Sequence, residues 1–231
     1  MKTLGIVGGL GPESTIDYYR SIIARFRERT NNEGYPHILV DSLDVDLGIR
    51  LVEAREWKRL AGYLLEGFRR LADAGADFGL MAANTPHIVF DEVSRLSPIP
   101  LLSIVEATCE EVRRRDLKRV GLLGTGFTMG GRFYPEVFER NGIALVSPSP
   151  EEQAYIHDKY LHELLLGTFL PETKSRLLEI IATLKDRDRV EGTVLAGTEL
   201  PLILRAEEAS GLPLLDTTQI HVRAAVAGIL S

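Results

Sequence analysis

Leu4-Gly5-Ile6-Val7-Gly8-Gly9-Leu10-Gly11-Pro12 opens the chain with a short apolar run, a glycine-rich turn and a proline, and this order decides the fold class. An apolar run bounded by glycines reads as a buried strand. Pro12 suits the first position of a helix, where its missing N–H costs nothing. Ile16, Tyr19, Ile22, Ile23 and Phe26 then recur at helical spacing and predict its apolar face. Val120-Gly121-Leu122-Leu123, leading into Gly124-Thr125-Gly126, repeats the strand and turn. A second helix is predicted where Trp57, Leu60, Ala61, Leu64, Leu65, Phe68, Leu71 and Ala72 share one face, with Gly75 as its stop. Phe78-Met81, Pro100-Leu102, Thr193-Ala196 and Pro213-Leu215 read as further buried strands. Strands alternating with helices predict an α/β fold with mostly parallel sheet.

Laying the two halves over each other reveals an internal repeat with anchors in the same order. Gly5-Ile6-Val7-Gly8-Gly9 matches Gly121-Leu122-Leu123-Gly124-Thr125. Leu80-Met81-Ala82-Ala83-Asn84-Thr85 matches Val194-Leu195-Ala196-Gly197-Thr198-Glu199, and Ile99-Pro100-Leu101-Leu102-Ser103 matches Leu212-Pro213-Leu214-Leu215-Asp216. The spacings agree: 78 positions from Gly5 to Ala83 against 76 from Gly121 to Gly197, then 17 to Pro100 against 16 to Pro213. The expected architecture is two pseudo-symmetric α/β lobes, residues 1–102 with 213–231 and residues 103–212. Ligands of such sheets bind beyond the carboxyl ends of the strands. The turns Gly8-Pro12, Ala83-Thr85, Gly124-Thr128 and Gly197-Glu199 are therefore expected to line one cleft between the lobes.

Composition removes several classes of function. The 231 residues are 45% apolar and 26% charged, with a formal net charge of −6. No apolar stretch approaches the roughly 20 residues of a membrane span, and Leu4-Val7 is too short for a secretory signal. A cytoplasmic protein is expected. An acidic balance without a block of like charges offers nothing to nucleic acid or to an anionic membrane. The lone cysteine, Cys109, excludes an intrachain disulfide, a thiolate metal cluster and a pair of catalytic thiols. Its setting, between Ile104 and Val112 on a predicted helix, reads as a buried structural thiol. No Walker loop, zinc-ligand spacing or Gly-x-Ser-x-Gly elbow occurs, and Ser14 stands where a dinucleotide loop needs its helix-packing glycine. Neither a cofactor nor a metal is expected.

The predicted turns suit a small carboxylate. Unpaired backbone N–H groups and the helix dipole favour an anion at helix starts, which makes Gly9 a candidate binder. Asn84, Thr85, Thr125, Thr128 and Thr198 add hydrogen-bonding side chains, although such residues also serve as caps and turn formers. Asp44 and Asp46, after the strand Ile38-Val40, are expected to point alternately. Arg50 beyond them could pair with a substrate carboxylate or stand as an exposed helix arginine. His157, Asp158 and Lys159 read as a solvated helix face rather than a metal site.

Ala83-Asn84-Thr85-Pro86-His87, Ala196-Gly197-Thr198-Glu199-Leu200 and Gly8-Gly9-Leu10-Gly11-Pro12 together resemble the motifs of the aspartate/glutamate racemase family, the cofactor-independent amino-acid racemases. The likeness runs the length of the chain. It implies two α/β lobes, a homodimer, and a small amino acid or dicarboxylate as ligand. In that family each lobe contributes one cysteine, one removing the substrate's α-proton while the other delivers a proton to the opposite face. Here those positions hold Ala83 and Gly197, and neither side chain carries a proton.

One positioned acid or base typically contributes about 10²–10⁴-fold to a rate, so racemisation would need a replacement. Glu199 is the first candidate, because glycine removes bulk beside it and burial raises a carboxyl's pKa toward neutrality. It could instead bind the substrate ammonium or cap the following segment. The resemblance adds that in related glutamate racemases the matching position assists the adjacent thiol. His87 is the second, as a proton carrier or as a residue that fixes the turn. Three functions stay open: an isomerase without the thiol pair, a lyase or decarboxylase using one base, and a non-catalytic carboxylate-binding protein.

Overall fold

The computed structural model describes residues 1–204 and 208–231. The chain divides into two units: Met1–Ile104 with His221–Ser231, and Val105–Ile220.

The first unit runs β1 (Leu4–Gly8), α1 (Pro12–Arg29), β2 (Ile38–Ser42), α2 (Val45–Glu53), α3 (Trp57–Asp73), β3 (Phe78–Met81), a 3-10 turn (Thr85–Val89), α4 (Phe90–Leu96) and β4 (Leu101–Leu102) into the start of α5 (Ile104–Arg114). Its sheet has the order β2-β1-β3-β4 and is parallel, with Leu4 opposite both Ile38 and Phe78. Every residue of β1 and β3 is buried, as their uninterrupted apolar character requires of a central parallel strand.

The second unit continues with β5 (Arg119–Gly124), α6 (Gly126–Met129), α7 (Phe133–Arg140), β6 (Ala144–Val146), α8 (Pro150–His162), α9 (Pro171–Asp188), β7 (Gly192–Ala196), α10 (Leu200–Leu204), β8 (Glu208–Ala209), β9 (Leu212–Asp216) and α11 (Thr217–Leu230). The sheet order is β6-β5-β7-β9-β8, with β8 alone antiparallel. Apart from β8, this is the first sheet's order again, β5 standing for β1, β7 for β3 and β9 for β4. The α/β class holds, and the repeat in the sequence is a repeat in topology.

The domain boundary differs from the sequence expectation at the C-terminal side. Residues 213–220 belong to the second unit, because β9 hydrogen-bonds to β7 with Leu214 opposite Thr193. The repeat itself demands this, since Pro213-Leu215 is the counterpart of Pro100-Leu102 and completes its own sheet. Only the part of α11 from His221 onward joins the first unit, where Val222, Ala225, Val226 and Ile229 pack with α1 residues and the sheet.

Helix α3 buries the predicted face, with Leu60, Leu64, Phe68 and Leu71 inside and Gly75 in a left-handed conformation just past its end. Helix α1 is rotated from expectation. Its buried stripe is Ser14, Tyr18, Ile22 and Phe26, while Ile16 and Tyr19 are 43% and 48% exposed. Apolar residues occupy more than one side of this helix, and the sheet takes the i, i+4 row, in which the Tyr18 hydroxyl finds a buried partner in His221 Nδ1 at 2.9 Å. In the second unit, Ile180, Ile181 and Leu184 of α9 and Ile156 and Tyr160 of α8 form one core with Leu123 and Leu195 of the sheet.

Gly9 allows β1 to turn against the chain leaving β2. It has φ 74°, and a Cβ on it would lie 2.2 Å from Leu43 O and 2.6 Å from Leu43 N. Gly34 shares that backbone conformation, φ 72°, with nothing within 4 Å of its Cβ position. Gly34→Ala is expected to cost about 1 kcal/mol of stability through backbone strain alone. Gly9→Ala should cost more than about 3 kcal/mol because backbone atoms must also move. Urea denaturation midpoints of the two variants check the difference.

Candidate active site

In each unit the chain leaves the first strand toward one neighbour and later returns on its other side. That places a topological switch point between β1 and β3, and another between β5 and β7. The turns singled out in the sequence follow these four strands.

At the first switch point, Ala83 and Asn84 are buried and Thr85 half-buried at the start of the 3-10 turn. The Gly9 N–H is already engaged, donating to Thr15 Oγ1 at 2.9 Å. Its role is therefore to permit the close turn, and an anion would have to compete with Thr15 for its N–H. His87 is buried in the same turn with both ring nitrogens bonded. Nδ1 lies 3.0 Å from Ala83 O, a pure acceptor, so Nδ1 carries the hydrogen, and Nε2 accepts from the Ile104 N–H at 3.2 Å. The ring stacks on Phe90 at 5.1 Å. Burial lowers its pKa to about 4. The proton-carrier role expected as one alternative gives way to the other: His87 ties the motif to the start of α5. Its ring lies 6.4 Å from that of His221, whose Nε2 faces Leu102 O at 3.3 Å and whose Nδ1 accepts from Tyr18. Burial, with a contribution from His87, lowers the His221 pKa to about 3.

At the second switch point, Thr125 caps α6 by accepting from the Thr128 N–H at 3.2 Å, and the two hydroxyls are 3.2 Å apart. The Gly126 N–H donates to His157 Nδ1 at 3.2 Å. His157 thus turns inward against the α6 start, which corrects its reading as part of a solvated face. Beyond β7, Gly197, Thr198 and Glu199 are all buried. Thr198 Oγ1 donates to Glu199 Oε2 at 2.9 Å, and the Tyr160 hydroxyl donates to the same oxygen.

Tyr160 is the residue that sequence reasoning missed. It comes from α8, one helical turn after His157, so a single helix face serves both turns of the second unit. A Cβ on Gly197 would lie 2.5 Å from Tyr160 Cε2, closer than side-chain carbons approach. Burial, then the neighbouring Glu199 charge, pushes the phenol pKa well above its usual value. The available signal was Gly197 itself: a glycine where its counterpart in the repeat, Ala83, carries a side chain leaves a volume for another residue to occupy.

The chain leaving β2 runs against the Gly8-Gly9 turn, and α2 carries two further candidates. Asp44 caps α2, accepting from the Asp46 and Leu47 N–H groups, so the chain is helical there and not an alternating strand. Arg50 is exposed on the last turn of α2. Cys109 is buried on α5 with its sulfur 3.9 Å from Val137 O, and burial pushes its thiol up to about 11. It is a packed thiol, as expected. Among the described residues, no group of three or more His, Cys, Asp or Glu side chains is placed to hold a metal, and no helix is long and apolar enough to cross a membrane.

A family model described as Asp/Glu/Hydantoin racemase matches residues 7–225. The chain is 24% identical over 234 residues to a Bacillus subtilis (strain 168) protein named a broad specificity amino-acid racemase, with 99% of this chain and 98% of that one covered. Its fold is similar to the crystal structure of a candidate Asp/Glu racemase from Yersinia pestis, with a TM-score of 0.90, 31% identity and both chains covered in full. An aspartate racemase homologue from Pyrococcus horikoshii OT3 gives a TM-score of 0.85 and 33% identity, again over both whole chains.

The two buried histidines set a pH dependence. Each is neutral in the fold but accepts a proton near 6.5 once unfolded, so their contribution is complete above pH 7. It declines as pH falls below 6.5, until about 4 for His87 and about 3 for His221. At pH 5 each should remove about 2 kcal/mol relative to neutral pH. Urea unfolding at pH 7.5 and pH 5 measures the sum, and His221→Gln should reduce the pH dependence by about half.

Proposed function

The chain belongs to the Asp/Glu/Hydantoin racemase family, and from that premise we propose that it is an isomerase moving the α-proton of a small amino acid or dicarboxylic amino acid, without a cofactor and without a pair of thiols. The observation that carries this reading is Glu199, a buried carboxylate just past the carboxyl end of β7, two residues after Gly197, the position at which the resemblance implies the family's second cysteine. A buried carboxylate at a topological switch point is suited to acid-base work. The name of the Bacillus subtilis relative supports amino acids as the substrate class.

Asn84, Thr85 and Thr198 are the proposed partners of the substrate's carboxylate and ammonium groups. Gly9, Thr125 and Thr128 give the turns their shape and polarity, and Arg50 is the proposed outer partner for a second carboxylate. A homodimer working in the cytoplasm completes the proposal.

A second reading has its own support. Ala83 carries no proton, and both nitrogens of His87 are bonded within the fold. An enzyme with an acid-base group at one switch point only would exchange the α-proton with solvent faster than it inverts the centre, or would use that one base in a lyase or decarboxylase.

Incubation with each L-amino acid in deuterated water, followed by proton NMR of the α-position and chiral chromatography, separates these readings. Loss of the α-proton signal with formation of the D-enantiomer is the expected result, and Glu199→Gln should slow it by about 100-fold or more. Exchange without inversion would favour the one-base reading. No exchange with any amino acid would sink the racemase reading.

A further inference from the structure

Gly197 and Tyr160 exclude any side chain at position 197. The Cβ position of Gly197 is 2.5 Å from Tyr160 Cε2 and 3.1 Å from both Cζ and the phenol oxygen. The ring cannot swing aside cheaply. It belongs to a helix whose Ile156 is fully buried, and it packs in the core of the second unit with Leu164 and Leu200. The phenol end of Tyr160 therefore occupies the volume into which a residue at 197 would extend. Packing alone does not call for its hydroxyl. Phenylalanine would fill the same space, whereas Tyr160 and Glu199 bring a phenol and a carboxyl group out of water, which is costly unless they bond to each other. Thr198 donates to the same carboxylate oxygen, so the three residues form one polar cluster in an apolar surround.

We infer that Tyr160 is a catalytic acid-base residue of the second unit, its phenol standing where the side chain of residue 197 would stand and Glu199 serving as its proton acceptor. This rests on the racemase reading above. In the forward step the phenol oxygen takes the substrate's α-proton while the phenol's own proton passes to Glu199 Oε2. The electron pair of the broken C–H bond stays on the substrate as a carbanion stabilised by its carboxyl group. In the reverse step Glu199 returns its proton to Tyr160 as the phenol delivers one to carbon. The transfer is balanced without an oxidant, a reductant or a metal. A burial-raised phenol pKa accords with this coupling, since a free phenolate is disfavoured and one proton must leave as the other arrives. Gly197 is then the space that admits the phenol.

The test compares the unaltered protein, Tyr160→Phe, Tyr160→Ala, Gly197→Cys and the double variant Tyr160→Ala with Gly197→Cys in the deuterium-exchange assay, with thermal unfolding of each. Tyr160→Phe keeps the ring, so it should fold, and its kcat should fall by about 100-fold or more while KM changes only a few-fold. Gly197→Cys alone should be destabilised by its clash with the ring. Tyr160→Ala combined with Gly197→Cys should regain stability and recover exchange above Tyr160→Ala. Its kcat should acquire an ionisation in the thiol range and become sensitive to iodoacetamide. Full kcat in Tyr160→Phe overturns the inference and leaves the racemase reading standing. A folded double variant no faster than Tyr160→Ala also overturns it, because a thiol at 197 would then not reach the substrate. Absence of exchange in the unaltered protein overturns both.

Discussion

Close approach at the ends of the central strands is the constraint on which both units depend. A Cβ on Gly8 would lie 2.5 Å from Thr15 Cγ2, and one on Gly124 would lie 2.6 Å from Ala196 O and 3.0 Å from Thr128 Cβ. In each unit the strand ends against a threonine of the following helix, and only a residue without a side chain fits between them. The turn is thereby held low over the sheet, and the polar groups after the neighbouring strand, Asn84 in one unit and Thr198 and Glu199 in the other, lie beside it. Glycine conserves nothing chemical here. It sets how closely the turn approaches the following helix and the end of the next strand.

Matched backbones have taken different side-chain roles. In the first unit the turn after β3 is locked by His87, whose two nitrogens are used within the fold and whose neutrality is enforced by burial. In the second, the turn after β7 is filled by Tyr160, a residue from another helix, and carries a buried carboxylate. The topological repeat is close, yet one half has an aliphatic residue and a pinned histidine where the other has a hydrogen-bonded acid and phenol. Symmetry of the fold does not require symmetry of the side chains that fill its turns, because each is decided by packing within its own unit.

The strand-turn-helix order, the repeat and the position of the candidate turns were legible in the residues themselves. Buried strands such as Phe78-Met81 and the face of α3 follow from local apolar patterning, which acts over a few neighbouring residues. The stripe buried by α1 did not follow, since Ile16, Tyr19 and Ile23 present an alternative apolar side and only the sheet selects between them. Residues 213–220 were assigned to the wrong unit because strand partnership is a long-range choice, even though their match to residues 100–103 already contained the answer.

By itself, the sequence determined that the chain carries one cysteine and so cannot supply a pair of catalytic thiols, and its repeat set the turns at Ala83 and Gly197 side by side as counterparts. It also marked Glu199, whose neighbours in the turn are its neighbours in the chain. Only the tertiary structure decided what fills the volume beside Gly197, because Tyr160 lies on a helix 39 positions from Glu199 and reaches it through the packing of α8 over the ends of β5 and β7. Turn chemistry is encoded in adjacent residues and can be read in order. The occupant of a vacancy is chosen by whichever distant element packs against it, and that choice exists only once the core has formed.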